Sequence, residues 1–381
     1  MVVLQHLARQ PQAGNVILLA VPDEENLSAG VLQAVYWLDE LRQLEGLEYV
    51  GAINLDYISD LPGEGEKIRP VVYDGTVGKL LVSLYVRGVT GHAGDPLGTV
   101  DPNLALAEML RDISRDERLV ELDTEWVVPP VVLHQGDLKT QYDTQTPLEA
   151  VAQINFILRR RTPAEILAHV REIVAAAYER SLTESRQRRA AWQKVALPHL
   201  QPTVLTLAEL RARAAARPEL PTHRSVISAN LDVVRSLWNH AHLHGPGAVV
   251  YADLPFYPAV KHGLAGRFSQ AVHSVARTFG LEIKPFYPYI TDSSYVGAID
   301  ASVTASMPEA VPLTTSADMA KLRDRYWVTR SLDLPPLNLP VFTLGPFGRG
   351  AHTPWERVYM PYAFETLPHL LFDVIQTTLG D

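Results

Sequence analysis

The sequence predicts an α/β protein: a three-layer sheet of mostly parallel strands with helices on both faces, and an inserted α+β domain. Three stretches carry this prediction. An apolar, β-branched run from Val16 to Val21 breaks at Pro22 and restarts as an amphipathic helix from about Ala29 to Leu44, followed by the strand Tyr49 to Leu55. That is the strand-helix-strand unit from which parallel sheets are built. From Thr76 the pattern changes to alternating KLLVSLYVRG, the turn-rich GHAGDPLGT, a helix from about Asn103 to Ile113, a strand in VVPPVVLH, a strand from Ala150 to Leu158, and a helix from Ala164 to Arg180. Strand, helix, strand, strand, helix is an α+β arrangement. The α/β rhythm then resumes with a helix near Leu231 to Ala241, the strand GAVVYA, a helix near Phe268 to Phe279, the strands EIKPF and VFTLG, and a last helix of roughly Pro361 to Leu379.

The main domain is therefore discontinuous. Residues 1–75 form its first part, 76–182 the insertion, 183–225 a charged, Arg/Ala-rich helical insertion or hinge, and 226–381 its second part. Val2 to Arg9 reads as the tail of a helix, because the chain opens in an apolar stripe with no cap before it. The first part is accordingly expected to be truncated at its amino end. Gly63 to Glu66 reads as a polar loop.

Bulk properties narrow the function. A length of 381 residues suits about two domains, and 47% apolar residues suffice for their cores. The formal charge of −9 argues against a nucleic-acid partner, which would want a basic face. With no cysteine, any metal must be held by His, Asp or Glu. No signal peptide opens the chain and no apolar run reaches the ~20 residues of a membrane helix, so the expected location is the cytoplasm.

Chemistry concentrates at strand ends. Asp23, Glu24 and Glu25 follow the first strand, Asp56 follows YVGAINL, and LPVFTL runs through GPFGRGAH to His352. The carboxyl edge of an open α/β sheet is where ligands bind. Carboxylates and an imidazole there suit zinc or a similar divalent cation. Each residue also has a plainer explanation. Acids before a helix cap its free N–H groups, a single Asp after a strand forms turns, and His352 with Glu356 fits a surface pair at a helix start. Convergence of all of them favours a site. The alternating His240, His242 and His244 are a rival metal cluster, but they end a helical run closed by Gly245, where His side chains suit the helix C-terminus anyway. The glycines of GPFGRG do not have the spacing of a nucleotide loop.

The motifs VPDEENLSAG, GVTGHAGDPLGTVDPNLALAEML and GPFGRGAHTPWERV resemble the dinuclear zinc metallopeptidase family of aminoacylase, glutamate carboxypeptidase and succinyl-diaminopimelate desuccinylase. FYPYITDSSYVG and LGPFGRGAHTPWERVYMPYAFETLPHL resemble its RocB-like, arginine-utilization branch. The resemblance implies a zinc exopeptidase-like fold with an inserted lid through which two subunits form a homodimer. It implies two zinc ions per subunit, with manganese or cobalt as alternates, and a small-molecule or peptide substrate. Glu24 would be the general base, Glu25, Asp56 and His352 metal ligands, and His92 the lid residue that stabilises the oxyanion in the partner subunit's site. Glu356 would orient His352, and Asp292, Ser293 and Ser294 would line the substrate pocket, although a helix N-cap also explains Asp292.

Two departures from the family pattern set further expectations. The family's Gly-His-x-Asp segment, which supplies a metal-binding His and a bridging Asp, has no counterpart before Glu24; His6 lacks the following Asp. Weak or absent metal binding is expected, because zinc sites take about three or four protein ligands. The family's acidic-x-Arg lid strand, which contacts the substrate carboxylate, is replaced by INFILRRRTP, with Arg159, Arg160 and Arg161 but no acid. The sequence thus supports a metal-dependent hydrolase of amide or peptide bonds in an N-acyl amino acid or small peptide. The alternative is a non-catalytic relative that keeps the fold and dimer without a complete metal site.

Overall fold

A computed structural model describes residues 2–9, 13–59, 70–122, 127–193, 200–214, 223, 225–315 and 325–380. The polar loop Gly63 to Glu66 lies outside the described residues. In chain order the strands are β1 (Ala52–Asn54), β2 (Val71–Thr76), β3 (Gly78–Arg87), β4 (Glu121–Leu122), β5 (Val127–Val128), β6 (Val131–Asp137), β7 (Glu149–Leu158), β8 (Thr203–Thr206), β9 (Gly247–Tyr257), β10 (Glu282–Tyr287), β11 (Val341–Thr343), β12 (Gly348–Arg349) and β13 (Arg357–Val358). The principal helices are α1 (Val2–Leu7), α2 (Ala29–Glu45), α3 (Pro102–Arg115), α4 (Pro163–Gln193), α5 (Leu207–Ala214), α6 (Val226–His240), α7 (Arg267–Thr278) and a last helix, Leu367–Leu379.

The first sheet has the order β1-β11-β2-β10. Two of its pairings are parallel, and β11 with β2 is antiparallel. Neighbouring residues on a strand face opposite sides, and β11 shows the consequence. Val341 packs with Val31, Leu32 and Val35 of α2, whereas Phe342 packs with Phe268 and Val272 of α7 and with Leu370 and Val374 of the last helix. Helix, sheet and helix make the three layers.

The second sheet has the order β6-β7-β3-β9-β8, with β3 antiparallel to both β7 and β9. Helices α3, α4, α5 and α6 pack on it to form the largest core. Gly247–Tyr257, read in the sequence as part of the second catalytic segment, pairs here with β3. This strand is buried along its whole length, and its end residue Tyr257 belongs to the core under α2, so it ties the two sheets together.

Three further expectations differ from the structure. Val16 to Val21, expected to be a buried strand, pairs with no described strand, and Val16 and Leu18 are 40% and 50% exposed. Apolar, β-branched composition makes a strand only where a ladder partner exists. VVPPVVLH divides into β5 and β6, because Pro129 and Pro130 cannot donate to a ladder. The segment expected from about Ser181 as a helical insertion or hinge begins as helix, but as a continuation of α4, which runs 31 residues, rather than as a separate unit, in keeping with the helix propensity of its Arg, Glu and Ala. Among the described residues no helix is long and apolar enough to cross a membrane.

Candidate active site

The turn after Pro22 separates three adjacent acids. Asp23 takes a left-handed backbone, φ 73°, and its carboxylate accepts a hydrogen bond from the Ala29 backbone N–H at 3.2 Å. It therefore caps α2, since the first N–H groups of a helix have no partner within it. Ser28, also left-handed at φ 56°, leaves the cap to Asp23, and its hydroxyl lies 2.7 Å from the Tyr257 hydroxyl. Glu24 and Glu25 are left facing a cavity of about 830 Å³, which Asp56, His352 and Glu356 also border.

Asp56 leaves the end of β1, and its Oδ1 accepts from the Tyr57 backbone N–H at 2.7 Å. His352 follows β12 at φ 60°, with its backbone N–H donating to Glu356 Oε2 at 3.1 Å. Glu356 thus fixes the backbone of the His352 turn. The imidazole Nε2 lies 3.4 Å from Glu25 Oε1, and both side chains are mostly exposed. Five of the expected residues, from three separated stretches, meet at one rim.

Their crowding has an electrostatic effect. Burial, then the charges of Asp56, Asp292 and Glu25, push the Glu24 carboxyl up to about 7, while Lys79 draws it down. Asp56 is raised chiefly by burial, against the pull of the Tyr57 N–H. Asp292 begins the short 3-10 turn after β10, and neither it nor Ser293 or Ser294 borders the cavity, contrary to the expectation that they line it. Burial raises the Asp292 carboxyl to about 6, with the Ser28 hydroxyl acting the other way. That hydroxyl has Tyr257 as its close partner, and among the described residues neither the Asp292 oxygens nor the buried Ser293 and Ser294 hydroxyls beside them have a hydrogen-bond partner.

His92 sits in the lid-type loop, paired across an isolated bridge with Gln145, and its Nδ1 accepts from the Gly94 N–H at 2.9 Å. It does not border this chain's cavity. Neither do the three lid arginines. Arg159 stacks 4.2 Å above the Phe286 ring, and Arg161 donates to the Val120 carbonyl at 2.8 Å. His240, His242 and His244 follow the plainer reading: α6 ends at His240, whose Nδ1 lies 2.7 Å from the Ser236 carbonyl.

Sequence reasoning missed Lys79, Tyr257, Tyr287, Tyr289 and Arg349, all on the cavity wall. Only Lys79 carried a signal, as a charge at the head of a strand whose middle is largely apolar. The tyrosines look like ordinary strand residues until the topology brings their ends together.

The fit to a dinuclear zinc centre is incomplete. Glu25 and His352 face each other as two ligands of one cation would, but among the described residues no group of three or more His, Asp or Glu is arranged to hold a metal ion. A tightly bound zinc takes about three or four protein ligands.

An acidic pocket at the rim of a mixed α/β sheet, joined to an inserted α+β unit, is the class of protein that the motif resemblance implies. The sequence kinship is to two Bacillus subtilis proteins. The chain is 29% identical to the uncharacterized protein YqjN over 96% of its own length and 69% of that protein's, and 26% identical to protein RocB over 94% of its length and 66% of that protein's. It is a homologue of both and spans about two thirds of their length. No family model matches the chain. Among solved structures it is similar to the aminopeptidase PepT of Bacillus cereus, at 12% identity and a TM-score of 0.45 over 92% of this chain and 62% of that one. It is also similar to the Bacillus subtilis YXEP protein, a dinuclear metal-binding peptidase, at 11% identity and 0.43 over 94% and 64%.

Proposed function

We propose that the chain carries the catalytic pocket of an amide- or peptide-bond hydrolase acting on an N-acyl amino acid or small peptide. The observation that carries this reading is the gathering of Glu24, Glu25, Asp56 and His352 around one cavity from three separate stretches of chain. Glu24 is the proton-transferring group, being half-buried and surrounded by acids that favour its protonated form. Glu25 and His352 are the pair that faces a divalent cation, with zinc the first choice. Because the described residues do not complete its ligand set, cation binding is weak. Kinship with RocB supports arginine catabolism as the setting.

The test is hydrolysis of N-acetyl amino acids, N-acetylarginine among them, and of dipeptides by the purified chain with zinc or manganese supplied. Glu24→Gln is expected to lower the rate about 100-fold or more, the scale of general acid–base catalysis. Hydrolysis that survives this change overturns the assignment of Glu24. No hydrolysis of any substrate by the wild type favours the non-catalytic relative.

A further inference from the structure

Two basic side chains, Lys79 and Arg349, border the acidic cavity, and they differ in one respect. Arg349 already interacts within the protein. Lys79 makes no hydrogen bond and no ion pair among the described residues. Its Nζ lies 5.5 Å from the centre of the Tyr257 ring, and the carboxylate of Glu24 acts on it only from beyond ion-pair distance. Residue 79 stands at the head of β3, opposite Tyr257 of β9, where the register between the two strands shifts before Leu81. A half-buried ammonium without an anion is costly in a protein interior. Here it lies on the wall of a cavity large enough for a small peptide, so an incoming anion can satisfy it.

We propose that Lys79 is a specificity-determining residue that binds a carboxylate of the substrate, with the Tyr257 ring as the floor of that subsite. A single ammonium is a point charge with three donors, which suits one carboxylate. The lid arginines are engaged elsewhere, which leaves the ammonium as the cation open to a ligand on this wall. In a pocket bordered by Glu24, Glu25, Asp56 and Glu356, a substrate anion is repelled everywhere except near such a cation. This inference rests on the hydrolase reading for the kind of ligand, but its test is binding and does not require turnover.

The experiment compares equilibrium binding of an N-acetyl amino acid and its C-terminal amide by calorimetry or ligand-observed NMR, using the full chain and its Lys79→Met, Lys79→Gln and Lys79→Arg variants. A charge-assisted hydrogen bond corresponds to a preference for the acid of about 10-fold or more in the wild type. Lys79→Met and Lys79→Gln are expected to remove that preference by weakening the acid alone, and Lys79→Arg to keep part of it. Thermal melts identify any variant that fails to fold, and the Met and Gln variants provide independent readings. A preference that persists without Lys79, equal weakening of acid and amide, or no preference in the wild type overturns the proposal. Equal weakening is the result expected if Lys79 only balances Glu24. Failure of hydrolysis with the acid preference intact overturns the hydrolase reading and leaves the Lys79 subsite standing.

Discussion

Asp23, Glu24 and Glu25 adjoin in the sequence, yet the left-handed backbone at Asp23 turns one carboxylate to the helix and leaves two for the cavity. A non-glycine residue in this region is strained, and such strain persists only where surrounding contacts fix it. Ser28, at the start of α2, and His352, on the cavity rim, share the feature. A buried acid away from the site gives a residue-scale prediction. Asp253 on β9 is fully buried; its carboxylate accepts from Ser83 Oγ at 2.7 Å and from the Asn230 amide. Burial still raises it to about 6 from an ordinary 3.8, the Ser83 and Asn230 hydrogen bonds opposing. The folded chain therefore keeps this proton where the unfolded chain has released it. The resulting stabilisation is complete below the unfolded value and is lost as pH rises through about 6. Urea midpoints of the wild type should fall across that window, by on the order of 3 kcal/mol in unfolding free energy. Asp253→Asn, an uncharged isostere, should flatten the fall, and an equally steep fall in that variant would assign it to other groups.

At the scale of elements, β6 is an edge strand whose free side exposes Val131 at 46% and Leu133 at 56%. Exposed apolar edges invite pairing with another chain. We propose this edge as the lid surface through which two copies associate, with His92 serving the partner's cavity since it lies outside its own. Leu133→Asp should shift the mass measured by light scattering from dimer to monomer and lower any hydrolysis with it. A dimer that persists would place the contact elsewhere. His92→Ala should leave cation binding unchanged while removing hydrolysis, and loss of the cation would mean that His92 has another role. Much at this scale was legible from periodicity, as α2, α3, α7 and β7 all lie where the apolar pattern put them. Val16 to Val21 was misread because side-chain pattern reports what a strand would bury and says nothing of whether a neighbour exists to pair with. The pairing of β9 with β3 was hidden for a related reason, since 160 residues separate Gly247 from its partner Arg87 and composition carries no register.

At the scale of the whole molecule, the cavity is bordered by residues from both sheets, Asp56 after β1, Lys79 on β3 and Tyr257 on β9, and by His352 after β12, which pairs with β13 in a separate two-stranded ribbon. Asp56 and His352 could be read from the sequence because each follows a strand, where an α/β sheet places its ligands, and Glu24 and Glu25 from their place ahead of α2, although the run before them forms no strand. The aromatic and cationic wall could not, because it depends on how the inserted sheet docks. Glu25, Asp56 and His352 border one rim, and among the described residues they have too few companions for a complete dinuclear centre. Calorimetric titration with zinc, backed by metal analysis after dialysis, is the decisive measurement. Fewer than two ions per chain are expected, weakly held, with the bound fraction lost in Glu25→Gln and in His352→Ala. Two tightly held ions, or binding unaffected by those changes, would refute this reading of the rim.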